Sequence, residues 1–107
     1  MSENVESEEP KTPEAISKKL SEEVAEIYWD ELKLPFAKGD VLWVDKSLDI
    51  VRVGLALALD DKDLISGLME KKIFGNMQDS VAKAWYDEKD FKIKALGLRH
   101  WILVQEL

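Results

Sequence analysis

The sequence predicts an α+β fold, and three observations carry that reading. A stripe of apolar residues at helical spacing follows Thr12, strictly alternating apolar residues run from Val51 to Leu59, and the chain closes on the almost continuously apolar segment WILVQ. Together they predict an N-terminal helix, a β-hairpin, two short helices and a C-terminal strand. The strands should form a small antiparallel sheet with helices over at least one face.

Residues 1–11 carry four glutamates, one lysine and, beyond Met1, a single large apolar side chain, Val5. They offer too little apolar surface to offset their ordering entropy and read as a disordered acidic tail. The single domain is then 12–107. Thr12 suits an N-cap, Pro13 the first helical position and Glu14 the positive end of the helix dipole. Ile16, Leu20, Val24, Ile27 and Tyr28 follow at spacings of three and four, and a second stripe runs through Ala25, Trp29, Leu32 and Phe36. One helix is therefore predicted up to the stop signals Pro35 and Gly39.

Val41–Val44 is β-rich, and DKSLD after it is rich in turn formers. Val51, Val53, Leu55, Leu57 and Leu59 then alternate with Arg52, Gly54, Ala56 and Ala58, which favours a second strand and a hairpin. The rival is a buried helix from Asp49 to Leu59, because leucine and alanine are strong helix formers. Leu64, Ile65, Leu68 and Met69 mark a short helix behind the acids of DDKD, and FGN reads as a turn. A second short helix, QDSVAKAWY, places Val81, Ala84 and Trp85 inward. From Phe91 onward the pattern alternates and then turns fully apolar, as in a last strand that moves under cover and buries its side chains.

Composition narrows the chemistry. The chain has no cysteine, so disulfides, thiolate nucleophiles and cysteine metal sites are excluded, and its one histidine excludes a two-histidine metal site within one chain. Acidic residues outnumber basic ones 22 to 15, for a net charge of −7. Phosphate backbones and anionic membranes demand clustered lysine and arginine, so neither is an expected partner. The glycines at 39, 54, 67, 75 and 97 are too scattered for a phosphate-cradling loop. The N-terminus lacks the basic and apolar regions of a secretory signal, and no apolar run approaches the ~20 residues of a membrane span. A cytoplasmic protein is expected.

WDEL running into FAKGDV, then SLDIVRV, DD and the ending WILVQE resemble a small bacterial family catalogued as a domain of unknown function. The resemblance spans about residues 20–106. Its most specific pieces are Trp29, Gly39, Leu48-Asp49, Asp60-Asp61, Trp85 and Trp101 to Gln105. The family's last motif often reads proline-tryptophan, whereas His100 precedes Trp101 here. The resemblance implies a bacterial cytosolic protein and supplies no activity, cofactor or catalytic residue.

Four features are candidate sites. His100 is the one imidazole, the side-chain type suited to proton transfer near neutrality. A catalytic role would need Asp45 or Asp49 to orient it and a serine nucleophile, yet Ser17, Ser21, Ser47, Ser66 and Ser80 all lack a nucleophile-elbow context. Asp60, Asp61 and Asp63 could hold a hard cation, but acids also cap helices. Asp45 and Asp49 flank a turn and could divide acid and base roles, or bond their own backbone. Trp43 is either a core residue or an interface anchor on the outer face of the hairpin. The expected function is a non-enzymatic protein–protein interaction or self-association module, a homodimer joined by an edge strand or the Trp43 face, with no cofactor. The alternative is a small-molecule or metal-binding protein, or a weak hydrolase, using Asp45, Asp49, Asp60, Asp61 and His100.

Overall fold

Thr12 begins the chain described by the computed structural model, which covers residues 12–107; the predicted acidic tail lies outside the described residues. Its side-chain oxygen accepts the Ala15 N–H at 3.1 Å, and Pro13 opens α1 (Pro13–Glu23). The helix does not continue to Phe36. It ends at Val24, in an extended conformation, and leads into β1 (Ala25–Tyr28), a 3-10 turn (Trp29–Leu32) and α2 (Lys33–Ala37). The two stripes belong to different elements. No glycine or proline marks the break; the break is set by pairing, because β1 lies antiparallel to residues 92–95, far along the chain. Gly39 ends α2 with a φ of 80°, donating to Phe36 O, while Asp40 N–H reaches Pro35 O.

After β2 (Val41–Val44) the expected second hairpin strand is a helix, α3 (Ile50–Ala58). The segment carries both periods: alternation at 51, 53 and 55, and helical spacing at Ile50, Val53, Gly54 and Leu57. Helix wins because Asp49 Oδ1 caps the Val51 N–H at 2.9 Å and because Ile50, Val53, Gly54 and Ala56 are the buried residues. The helix stops without glycine. Asp60 takes a φ of 56°, its N–H donating to Leu57 O and that of Asp61 to Ala56 O.

α4 (Lys62–Glu70) and α5 (Asp79–Tyr86) are the two expected short helices. In α5 the inward alanine is Ala82, not Ala84, since Ala82 lies one turn before the buried Trp85. Between them FGN forms β3 (Phe74–Asn76), a short strand on β2. The last segment is two strands, β4 (Lys92–Gly97) and β5 (Ile102–Glu106). Leu98 N–H donates to Trp101 O at 2.7 Å and closes the hairpin over Arg99 and His100. Trp101 precedes β5 and is 39% exposed, so the expected burial of the whole segment fails there.

The five strands run in the order β1-β4-β5-β2-β3. The α+β class stands, but the sheet is mixed, because β2 and β5 are parallel, with Val41 beside Ile102. Helices cover both faces. Leu42, Val44, Leu96 and Leu103 pack with Leu20 of α1, Ile50 and Val53 of α3, and Phe74. Val41, Ile93 and Val104 pack with Trp29, Leu32, Met77, Ala82 and Trp85 on the other side. Trp29 meets Trp85 edge-on at 5.1 Å and Phe36 at 5.7 Å. Its indole N–H donates to Ala82 O at 3.3 Å, which satisfies the buried donor.

Candidate functional site

Because β2 and β5 are parallel, their starts share one end of the sheet and their finishes the other. This separates the expected site residues into two groups. At the finishing end, Asp45 Oδ2 accepts the Ser47 backbone N–H at 2.9 Å and the Ser47 hydroxyl at 2.6 Å. The hydroxyl bond, seconded by the backbone bond, holds the Asp45 carboxyl below its ordinary 3.8, against a small opposing effect of desolvation. Asp49 is engaged as the α3 cap. The turn between them is held by Gln105, only 2% exposed, whose amide donates to Asp45 O at 2.9 Å and Leu48 O at 2.6 Å.

At the starting end, the turn after α3 delivers Asp60 and the β4–β5 turn delivers His100 to the walls of one cleft of about 730 Å³. Asp61 follows Asp60 in sequence, but its Oδ1 accepts the Leu64 N–H at 3.2 Å and caps α4. Asp60 Oδ2 lies 4.0 Å from Lys62 Nζ, and both side chains are exposed. Asp60 and His100 thus share a cleft, whereas Asp45 and Asp49 lie across the length of the sheet. No three histidine, aspartate or glutamate side chains among the described residues gather as a metal-binding group.

The other walls of this cleft were missed by sequence reasoning. Lys19 contributes from α1, Arg99 and Trp101 from the turn, and Ile16, Leu20, Leu57 and Leu98 are its apolar lining. The available signal was the pair Arg99–His100, which interrupts an otherwise apolar run between Leu98 and Trp101.

Trp43 occupies the opposite flank. It faces the Trp29–Trp85 side of the sheet but is only half-buried, because its partner across β3 is Gly75, which has no side chain to cover it. A second cleft of about 400 Å³ opens there, lined by Trp43, Met69, Phe74, Gly75 and Val81 among others. Asp45 N–H bonds Ile73 O and Met77 N–H bonds Val41 O, so the inward-facing residues of this ladder are odd-numbered. The backbone groups of Phe74 and Asn76 point away from the sheet, and no described strand pairs with them.

A family model described as "Protein of unknown function (DUF2288)" matches residues 15–106. The chain belongs to this family. Membership in DUF2288 accords with the resemblance read from the sequence and brings no activity with it. Among solved structures the chain is similar to the NMR solution structure of PA1075 from Pseudomonas aeruginosa, at 33% identity and a TM-score of 0.76. That match covers 85% of this chain and 83% of PA1075, so the similarity extends over most of both. No curated protein gives a significant match. No helix among the described residues is long and apolar enough to cross a membrane.

Proposed function

We propose that this DUF2288 chain is a non-enzymatic self-association module that pairs with a second copy through the outer edge of β3, with Trp43 as the anchor. The observation that carries the reading is the convergence of an unpaired strand edge with a half-covered tryptophan. Edge strands present a row of free backbone groups, and large aromatics beside them supply contact area. Met69, 50% exposed, adds apolar surface at the same cleft.

The geometry suits a two-fold axis through Gly75. Phe74 of one copy would face Asn76 of the other, and their outward N–H and C=O groups would form two reciprocal pairs of hydrogen bonds. The same register sets Lys72 against Gln78 and avoids a like-charge clash. The β1 edge is less suited, since the Tyr28 N–H there is already taken by Glu31 Oε2 at 3.1 Å and Glu26 is exposed.

Sedimentation velocity over a concentration series tests the proposal. The wild type should dimerise, while Asn76→Pro, which removes an outward N–H and leaves the β2 ladder intact, should stay monomeric at the same concentrations. Trp43→Ala should weaken the dimer. A wild type that remains monomeric at millimolar concentration, or a dimer unchanged in Asn76→Pro, overturns it.

A further inference from the structure

The cleft at the other end of the sheet is independent of the β3 edge. From its charge and shape we infer that it binds a small organic anion with an apolar or aromatic body. At about 730 Å³ it lies within the size range of small-molecule sites, roughly 300–1,000 Å³. Its chemistry runs against the rest of the chain. A protein of net charge −7 has two arginines and one histidine, and this cleft takes Arg99 and His100 and adds Lys19. The acids on its walls are Glu23 and Asp60, and Asp60 has Lys62 as a neighbour. Among the described residues no carboxylate comes within 4.0 Å of Lys19 or Arg99.

The hydrophobic half of the site is equally specific. Trp101 is 39% exposed, whereas Trp29 and Trp85 are buried at 1% and 4%. It lines the same cleft as Arg99, together with the apolar side chains of Leu20, Leu57 and Leu98. A guanidinium and an aromatic ring on the walls of one cleft can share a ligand, the first holding a carboxylate or phosphate and the second stacking on the remainder.

Turn chemistry does not account for these residues. A two-residue hairpin connection favours Asn-Gly with positive φ at both positions, but here Arg99 and His100 fill it and neither has a positive φ. The hairpin would close more readily on smaller residues. Flanked by strands β4 and β5, the turn presents the guanidinium and the imidazole from a rigid base. A nucleic-acid chain is a poor alternative, since many phosphates would meet an acidic surface, whereas a single anionic group needs only one or two cations.

The test is a titration of the isotopically labelled full chain, followed by amide shifts and tryptophan fluorescence, with matched probes: 1-naphthoate against 1-naphthamide, and adenosine monophosphate against adenosine. At least one anion should give saturable shifts at residues 19, 57–60 and 97–101, and its neutral match should bind about tenfold more weakly, the equivalent of one charge-assisted hydrogen bond. Arg99→Gln and Trp101→Ala should each lose a similar factor while the remaining amide spectrum confirms the fold. Lys19→Gln should weaken the anion but leave the neutral probe unchanged. Absence of saturable binding by either anion, equal binding of the neutral match, or wild-type affinity in Arg99→Gln each overturns the inference. Asn76→Pro should bind as the wild type does, so failure here is separable from failure of the β3 dimer.

Discussion

Asp45 and Asp60 show how differently two aspartates of one chain are used. Asp45 is held ionised mainly by the Ser47 hydroxyl, so its folded pKa lies below its ordinary value of 3.8. A depressed carboxylate stabilises the fold above that ordinary value and loses the contribution as pH falls through the folded one. Ser47→Ala removes the larger cause and keeps the backbone bond. The Asp45 titration, followed by the NMR shift of its carboxyl carbon, should therefore move upward part of the way to 3.8. An unmoved titration would assign the effect to the backbone N–H alone. Asp60, by contrast, occupies a left-handed position, φ 56°, where glycine is the favoured residue. Asp60→Gly should relieve strain of about 1–2 kcal/mol, less the added flexibility of the unfolded chain, for a net gain of about 0.5–1 kcal/mol. Thermal denaturation reads this directly, and a loss of stability would show that the Asp60 side chain contributes more than its backbone costs.

At the scale of elements, α3 holds the clearest conflict between local signal and outcome. Its alternating residues read as a strand, while Asp49 and the Leu-Ala content read as a helix, and both patterns are physically real. Gly54 records how the conflict ended: a Cβ there would lie 2.9 Å from Leu96 Cδ2, a side chain with no exposed surface. The helix rides close on β4 at this point. Gly54→Ala would gain about 1 kcal/mol of helix propensity and cost about 1–3 kcal/mol of overpacking, so the variant should be less stable by about 1 kcal/mol in urea titration. A stabilised alanine variant would mean that Leu96 yields. Elsewhere legibility followed the presence of local punctuation. Thr12 and Pro13 opened α1 where expected and Gly39 follows the end of α2, whereas Pro35, expected as a stop, lies inside α2. The break after Glu23 and the turn at Arg99–His100 contain no glycine or proline, and both went unread.

The described chain is a sheet covered on both faces, with two clefts that share no lining residue. The β3 edge gathers Trp43 and Met69, and the β4–β5 end gathers Lys19, Arg99, His100 and Trp101. The dimer and the anion site therefore belong to separate surfaces, and each should survive loss of the other. Of the candidate site, the sequence pointed to His100 and Asp60 as polar residues of interest but paired them with Asp45 and Asp49. That grouping assumed a hairpin, in which β2 and its turn would meet the last strand antiparallel. The parallel pairing of β2 with β5 carries Asp45 and Asp49 to the far end instead.

By itself the sequence determined the α+β class, the starts of α1 and α4, the buried tryptophans 29 and 85, and the exclusion of thiol chemistry. These depend on composition, capping and short-range periodicity, which are local properties of the chain. Only the tertiary structure decided that residues 25–28 form a strand, that 50–58 form a helix, and that Lys19 stands across a cleft from Arg99. Each of those outcomes depends on a partner far along the chain. A segment compatible with two periods takes the one whose apolar face the rest of the molecule can bury.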